Sequence, residues 1–200
     1  MNYSQPDFYK FGADSLFLAN TFNSFEIISP SEKNSVLDLC CGCGIIGLEI
    51  LKNNPKIKLT SLDLQLEYKR HFLKNIKMLN LEGSKANFIT APFNDLNDNL
   101  FKQKYDYIVS NPPYYNSNKC RLPPNQNKKK AKFFVVDNFE NYIETIYHCL
   151  KDDGFFWLLR TSKINNDVTD FNKISSLFVQ TDIFNGNGFE LFRFMKLNKY

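Results

Sequence analysis

The 200 residues predict an α/β protein: a seven-stranded, mostly parallel sheet with helices on both faces and an antiparallel hairpin at its C-terminal end. Three observations carry the prediction. Short β-rich runs alternate with runs of helical periodicity, the pattern of strand–helix–strand units rather than of a sandwich or a bundle. The turn Cys40-Cys41-Gly42-Cys43-Gly44 separates the first such strand from the first such helix. Near the end, Asn185-Gly186-Asn187-Gly188 joins two apolar segments, and Asn-Gly is the strongest short hairpin signal.

Taken in order, a helix is expected over 14–22, with Leu16, Phe17 and Leu18 as its apolar part. Strands are expected at 35–39, 58–63, 86–90, 105–110 and 154–160, with helices at 46–52, 67–79 and 139–150. The helix 67–79 places Tyr68, Phe72, Ile76 and Leu79 on one stripe at spacings of three and four. A weaker helix over 168–178 leads into the hairpin, 178–184 and 189–197. No internal repeat is visible. The chain reads as one domain over 1–200, with a helical N-terminal segment, 1–30, and a basic substrate loop, 111–136.

A hydrophobic share of 43% against 23% charged residues excludes disorder as the whole account. The 20 Phe and 10 Tyr provide bulk for a core. No apolar run is long enough to span a membrane, and the first residues lack a basic stretch leading into an apolar one. The 5 cysteines, three of them crowded into one turn, read as thiols of a reducing cytosol. A cytoplasmic monomer is expected, away from membranes. The net charge of +4 permits an anionic partner without demanding one. Its distribution says more: 107–136 contains no acidic residue, yet holds Lys119, Arg121, Lys128, Lys129, Lys130 and Lys132 among prolines and asparagines.

The glycine turn is the first candidate site. Glycine lets the backbone turn sharply and approach a ligand, and the following helix N-terminus offers free N–H groups. Asp63 ends the second strand nineteen residues after Gly44, where a carboxylate accepts ribose hydroxyls. Gly42, Gly44 and Gly47 form a G-x-G-x-x-G string, which fits a dinucleotide. Asp38, four residues before Gly42, favours S-adenosyl-L-methionine, whose amino-acid end is cationic. In that reading Asp38, Gly42 and Gly44 hold the methionine part and Asp63 the ribose. A tight turn with no ligand is the bland alternative. Cys40, Cys41 and Cys43 lack the usual C-x2-C zinc spacing, so they are read as small side chains filling a crowded turn, with no metal.

The second candidate site is Asn111-Pro112-Pro113-Tyr114, directly after the strand 105–110. Ligands of open α/β sheets sit beyond the carboxyl ends of strands, so this tetrapeptide belongs beside the glycine turn. Two prolines stiffen the backbone and push Asn111 to an extended conformation. The chemistry that wants such a mount is methylation of a conjugated amino nitrogen, whose lone pair is delocalised. The Asn111 side-chain oxygen and the Pro112 carbonyl each accept one N–H, favouring a pyramidal nitrogen. Positioning and electrostatics then do most of the catalysis. Tyr114 would stack on the target base.

These residues resemble the S-adenosylmethionine-dependent class I methyltransferases of the N6-adenine type. More narrowly, they resemble the bacterial tRNA(adenine-N6)-methyltransferases acting just 3′ of the anticodon of valine tRNA. Phe11-Gly12-Ala13-Asp14-Ser15-Leu16-Phe17-Leu18-Ala19 is similar to that family's N-terminal segment, Asp63-Leu64-Gln65 to its ribose-binding segment, and Asn111–Tyr115 with Cys120 and Lys128-x-x-Ala131-Lys132 to its substrate segment. The resemblance covers about 6–197. It implies a Rossmann-like fold, and it adds Asp14, Cys40, Leu64 and Asn111 to the cofactor-binding residues. It also implies that Tyr115 and the basic residues of 111–136 face RNA, most simply tRNA. Cys40 replaces the family's first glycine. Ala91-Pro92 stands where the family has an acid toward the adenine, leaving Asn94 or Asp95 to replace it. Two rival readings are a glutamine N5-methyltransferase acting on a release factor and a catalytically silent binding module on the same fold.

Overall fold

In a computed structural model of the chain, the residues described are 3–28, 34–113, 124–132, 138–161 and 169–197. Seven strands form one sheet: β1 (Ser35–Leu39), β2 (Lys58–Asp63), β3 (Ala86–Thr90), β4 (Tyr105–Ser110), β5 (Leu150–Thr161), β6 (Phe178–Asn185) and β7 (Phe189–Lys196). Their order across the sheet is β3-β2-β1-β4-β5-β7-β6. β1 through β5 are parallel to their neighbours, and β7 alone runs against β5 and β6. The expected architecture is the observed one.

Among the described residues six α-helices accompany the sheet: α1 (Ala13–Phe25), α2 (Ile45–Asn53), α3 (Glu67–Met78), α4 (Gln126–Lys132), α5 (Phe139–Cys149) and α6 (Phe171–Ser175). Alternation along the strands divides the core in two. Val36, Val109, Trp157 and Leu159 face one cluster, closed by Leu18 and Phe22 of α1, Leu48 and Leu51 of α2, and Tyr68 and Phe72 of α3. Leu37, Leu39, Ile108, Phe156 and Leu158 face the other, closed by Tyr142, Ile143 and Ile146 of α5 and Ile174 of α6. The stripe expected on the third helix is the buried one, with Tyr68 and Phe72 in the core and Ile76 and Leu79 packed against it.

Four elements depart from expectation. β5 begins at Leu150, not near 154, because Leu150 pairs with Tyr105 before the register shifts. A Cβ on Gly154 would stand 2.8 Å from the Leu150 side chain and 2.9 Å from the Asp106 carbonyl oxygen, so the bulge needs glycine. α6 is capped by Asp170 and ends early because Phe178 leaves the helical pattern to pair with Lys196; Val168, the expected start, lies outside the described residues. Two 3₁₀ turns, Phe93–Asn97 and Asn99–Phe101, follow β3, where no element was expected. Finally, α4 lies inside the segment read as a loop. Gln-Asn-Lys-Lys-Lys-Ala-Lys has no apolar stripe to signal a helix. Asn125 starts it, its side-chain oxygen accepting from Lys128 N at 2.9 Å and its carbonyl from Lys129 N at 2.9 Å. Among the described residues no helix is long and apolar enough to cross a membrane.

The chain passes from β1 outward to β2 and β3, then returns to place β4 on the other side of β1. This reversal opens a crevice beyond the carboxyl ends of β1 and β4, where open α/β sheets receive ligands. The two sequence motifs sit on its two banks.

Candidate active site

The glycine turn is built backbone first. Cys40, Gly42 and Gly44 have φ of 60°, 54° and 80°, in the left-handed region that costs a side chain about 1 kcal/mol or more. Gly44 N donates to the Cys41 carbonyl at 2.9 Å, and Gly44 then opens α2, its carbonyl accepting from Leu48 N at 2.9 Å. Asp38 braces the turn from below: its Oδ2 accepts from Gly47 N at 2.9 Å, while its buried Oδ1 has no hydrogen-bond partner among the described residues. Burial pushes its carboxyl up to about 7; the Gly47 N–H works against that shift and the Asp63 charge adds to it.

Because the folded value lies above the ordinary one, Asp38 stabilises the fold at low pH, and that contribution is lost as pH rises through about 7. Asp63, pushed up to about 6 chiefly by burial, acts in the same direction. Thermal stability is therefore expected to fall between about pH 4 and pH 7, and to fall less in Asp38→Asn; melting curves across that range check it.

Asp63 closes the turn from the side. Its Oδ2 accepts from Gly42 N at 2.9 Å and its Oδ1 from Gln65 N at 2.9 Å. Each carboxylate oxygen has a second lone pair, so the group holds the turn and still offers acceptors to the hollow that it lines.

That hollow has four banks. Cys40–Cys43 with Ile45 and Ile46 form one, and Asp63, Leu64, Gln65 and Tyr68 the second. Ala91, Pro92, Phe93 and Asn94 form the third. Asn111 and Pro113 face them, with Tyr9, Phe11 and Ser15 from the N-terminal segment and Lys130 and Ala131 from α4 completing the rim. The N-terminal segment is tied down at Asn75. Asn75 Nδ2 donates to the Ser4 carbonyl at 3.0 Å and the Cys43 carbonyl at 3.1 Å, and its Oδ1 accepts from Ser4 N at 2.7 Å. One buried α3 side chain thereby joins the N-terminal segment to the glycine turn.

On the opposite bank, the Ser110 hydroxyl donates to the Leu39 carbonyl and joins β4 to β1. Asn111 follows with its Nδ2 3.3 Å from Asp14 Oδ2 and 3.3 Å from Ser15 Oγ. Pro112 is buried, and Pro113 lines the hollow.

The expected site residues are thus placed as follows. Cys40, Gly42, Asp63, Leu64, Asn111, Pro113 and Lys130 line one hollow. Asp38 and Gly44 are buried one layer behind it and shape it. Asp14 stands behind Ser15 and reaches Asn111. Lys128 and Lys129 share α4 with Lys130. Tyr114, Tyr115, Lys119, Cys120 and Arg121 lie outside the described residues, as does the side chain of Lys132. Of the two substitutes for the missing acid, Asn94 lines the hollow, whereas Asp95 is exposed outside it. Phe11 and Gln65, from the two segments likened to the family's cofactor side, also line it, whereas Tyr9 and Tyr68 were not expected as lining. Tyr68 had been read as core, and its place directly after Asp63-Leu64-Gln65 at the first turn of α3 was the available signal.

Burial raises all three thiols of the turn, with the Asp38 and Asp63 charges adding to it; Cys43 reaches about 12. Protonated thiols are poor metal ligands and poor nucleophiles, and among the described residues no cluster of metal-ligating side chains occurs.

Gly44 decides whether the turn forms. A Cβ there would meet the Phe72 ring at 2.3 Å, on a backbone that already has positive φ. Gly44→Ala is expected to destabilise the fold by about 2–4 kcal/mol through overpacking plus backbone strain; denaturant unfolding of the purified variant measures it.

A parallel sheet with its order reversed at β1, a glycine turn over α2 and a carboxylate ending β2 define the class I methyltransferase fold. A candidate RNA methyltransferase from Pyrococcus horikoshii has this fold, with a TM-score of 0.66 at 14% identity over 99% of this chain and 94% of that one. Over residues 11–193 the sequence matches the methyltransferase small domain family, and the chain belongs to that family. It is 26% identical over 151 residues to the tRNA1(Val) (adenine(37)-N6)-methyltransferase of Pedobacter heparinus, covering 76% of this chain and 62% of that protein. It is 30% identical over 134 residues to ribosomal RNA small subunit methyltransferase C of Aliivibrio salmonicida, covering 60% of this chain and 38% of that protein. The matches thus span between about a third and two thirds of these relatives.

The cofactor of the family is S-adenosyl-L-methionine, and the residues present fit it. Asp63 would offer acceptors to ribose hydroxyls, and Leu64, Ile46, Pro92 and Phe93 would offer apolar surface to a purine. The unpartnered Asp38 oxygen leaves negative character under the turn, suited to a cationic amino-acid end.

Proposed function

We propose that the protein methylates the exocyclic N6 amino group of an adenosine in RNA, with a tRNA anticodon-loop adenosine as the favoured substrate. The observation that carries this reading is the placement of Asn111 and Pro113 on the hollow whose far bank is Asp63. The tRNA- and rRNA-modifying activities in the names of the relatives support an RNA substrate, and the adenine-N6 activity of one supports the target atom.

The bound cofactor supplies an electrophilic methyl carbon. The protein's residues do the rest. Asp63 holds the ribose and the turn 40–44 receives the methionine part, with Asp38 and Gly44 fixing its shape from behind. The Asn111 side-chain oxygen and the Pro112 carbonyl accept the two N–H bonds of the target amine, so its lone pair turns out of the ring plane toward the methyl. A C–N bond forms as the S–C bond breaks, leaving a neutral thioether, and the excess proton on nitrogen passes to water. Tyr114 stacks on the base. No strong base is needed before attack, because the nitrogen becomes acidic only as the new bond forms.

α4 brings Lys130 to the rim of the hollow and carries Lys128 and Lys129 on the same helix, and the same run of sequence holds Lys119, Arg121, Lys132 and Tyr115. We assign these residues to the RNA backbone and loop. An anticodon loop is already single-stranded, which lowers the cost of extruding one base. Replacing Lys128, Lys129 and Lys130 together by Ala is expected to raise KM for RNA and leave kcat unchanged. The slope of log affinity against log salt should become shallower by about 2, as three lost phosphate contacts on a single strand require.

Methyl-labelled S-adenosylmethionine offered with bulk tRNA, rRNA and a release factor tests the proposal. N6-methyladenosine recovered from tRNA, and absent with Asn111→Ala, supports it. The same nucleoside in rRNA alone moves the substrate but keeps the chemistry. Label on glutamine overturns it, as does cofactor binding with no transfer to any acceptor.

A further inference from the structure

We infer that Asp14 is a positioning residue for methyl transfer: its carboxylate fixes which end of the Asn111 amide faces the hollow. This rests on the reading of Asn111 as an acceptor for the target amine. An amide side chain is nearly symmetric in shape, but its two ends have opposite roles. Turned through 180°, Asn111 would present N–H to the N–H of the substrate and repel it. A carboxylate only accepts hydrogen bonds, so an amide beside one must offer it nitrogen. Asn111 does so, its Nδ2 3.3 Å from Asp14 Oδ2. Ser15 Oγ, also 3.3 Å from Nδ2, cannot by itself make this choice, because a hydroxyl both donates and accepts.

The carboxylate is itself held in place. Asp14 Oδ1 accepts from Ser15 N at 2.8 Å, and Asp14 lies in the first turn of α1, where the helix favours a negative charge. Gly12 makes room for it: a Cβ at that position would stand 2.8 Å from Asp14 Oδ1. Asp14 does not line the hollow, whereas Ser15 and Asn111 do. Its effect on the reaction therefore passes through Asn111 and not through the cofactor. The contact joins residues 97 apart in the chain, which gives the Phe11–Ala19 segment a task at the reacting end of the site.

The test is a double-mutant cycle on the full chain, with kcat read on whichever RNA accepts label, cofactor Kd read by calorimetry, and thermal melts on every variant. Asp14→Ala should lower kcat about tenfold, as loss of correct orientation does, at unchanged cofactor Kd. In an Asn111→Ala background the same substitution should change kcat by less than about twofold, since coupled residues are not additive. Should Asp14→Ala fail to fold, Asp14→Asn, which keeps the shape and removes the obligate acceptor, enters the cycle with the same expected non-additivity. Losses that multiply overturn the inference, and so does a weakened cofactor Kd at intact kcat. If Asn111→Ala lowers kcat and neither Asp14 variant does, the inference alone fails. If Asn111→Ala retains full kcat, the reading of Asn111 fails first, and the inference with it.

Discussion

Asn111→Ala should lower kcat by about 100- to 1000-fold, the usual cost of deleting one preorganised polar group from a reacting centre. The loss should fall on kcat and not on cofactor Kd, because in this account the Asn111 oxygen meets the amine as it pyramidalises. Asn111 has a mount suited to that proposed role. It follows a β4 end joined to β1 through Ser110, and it precedes Pro112 and Pro113, which stiffen the chain. Asn111→Asp keeps an acceptor but places it against the Asp14 carboxylate, 3.3 Å from the present Nδ2 position. It should be no better than alanine. Single-turnover methyl transfer at saturating cofactor, with calorimetry on the same preparations, checks both.

Asp63→Ala is expected to weaken cofactor binding by about 100-fold or more, since two hydrogen bonds to a charged group contribute roughly 1.5–3 kcal/mol each. The substitution also strips acceptors from Gly42 N and Gln65 N, so the turn should loosen and the melting temperature fall. Asp63 gives the binding a pH dependence of defined sign. With no ligand bound its carboxyl is pushed up to about 6, chiefly by burial. Ribose hydroxyls donate to the ionised form and so lower that value, which means a proton leaves on binding. Cofactor affinity should therefore rise from pH 5 to pH 7 and level off above it. Calorimetry in buffers of different ionisation heat measures the released proton.

Much of this was legible in the sequence, for identifiable reasons. The first four strands were expected within the bounds they have, because each is a short apolar or β-branched run cut off by polar residues, and buried parallel strands have that form. Asp63 and Asn111 were legible because a strand places its own last residue, as β2 does Asp63, and the residue directly after it, as β4 does Asn111. What escaped lay where the signal is local or three-dimensional. α4 has no apolar face, so periodicity said nothing; only Asn125 at its start marked it. Gly44 and Asp38 read as ligand-facing from the motif, yet the packing of Phe72 and Gly47 places them behind the wall. The contact of Asp14 with Asn111 joins two motifs that sequence alone could only name separately, since nothing in linear spacing says that the start of α1 meets the end of β4.

The most direct measurement is a crystal structure with a cofactor analogue that carries an amine in place of the transferable methyl. The account requires both ribose hydroxyls on the Asp63 carboxylate and the analogue's amine within hydrogen-bond distance of the Asn111 side-chain oxygen, with Asn111 Nδ2 still on Asp14. An analogue bound with its amine away from Asn111, or an Asn111 amide turned to face it with nitrogen, would contradict it.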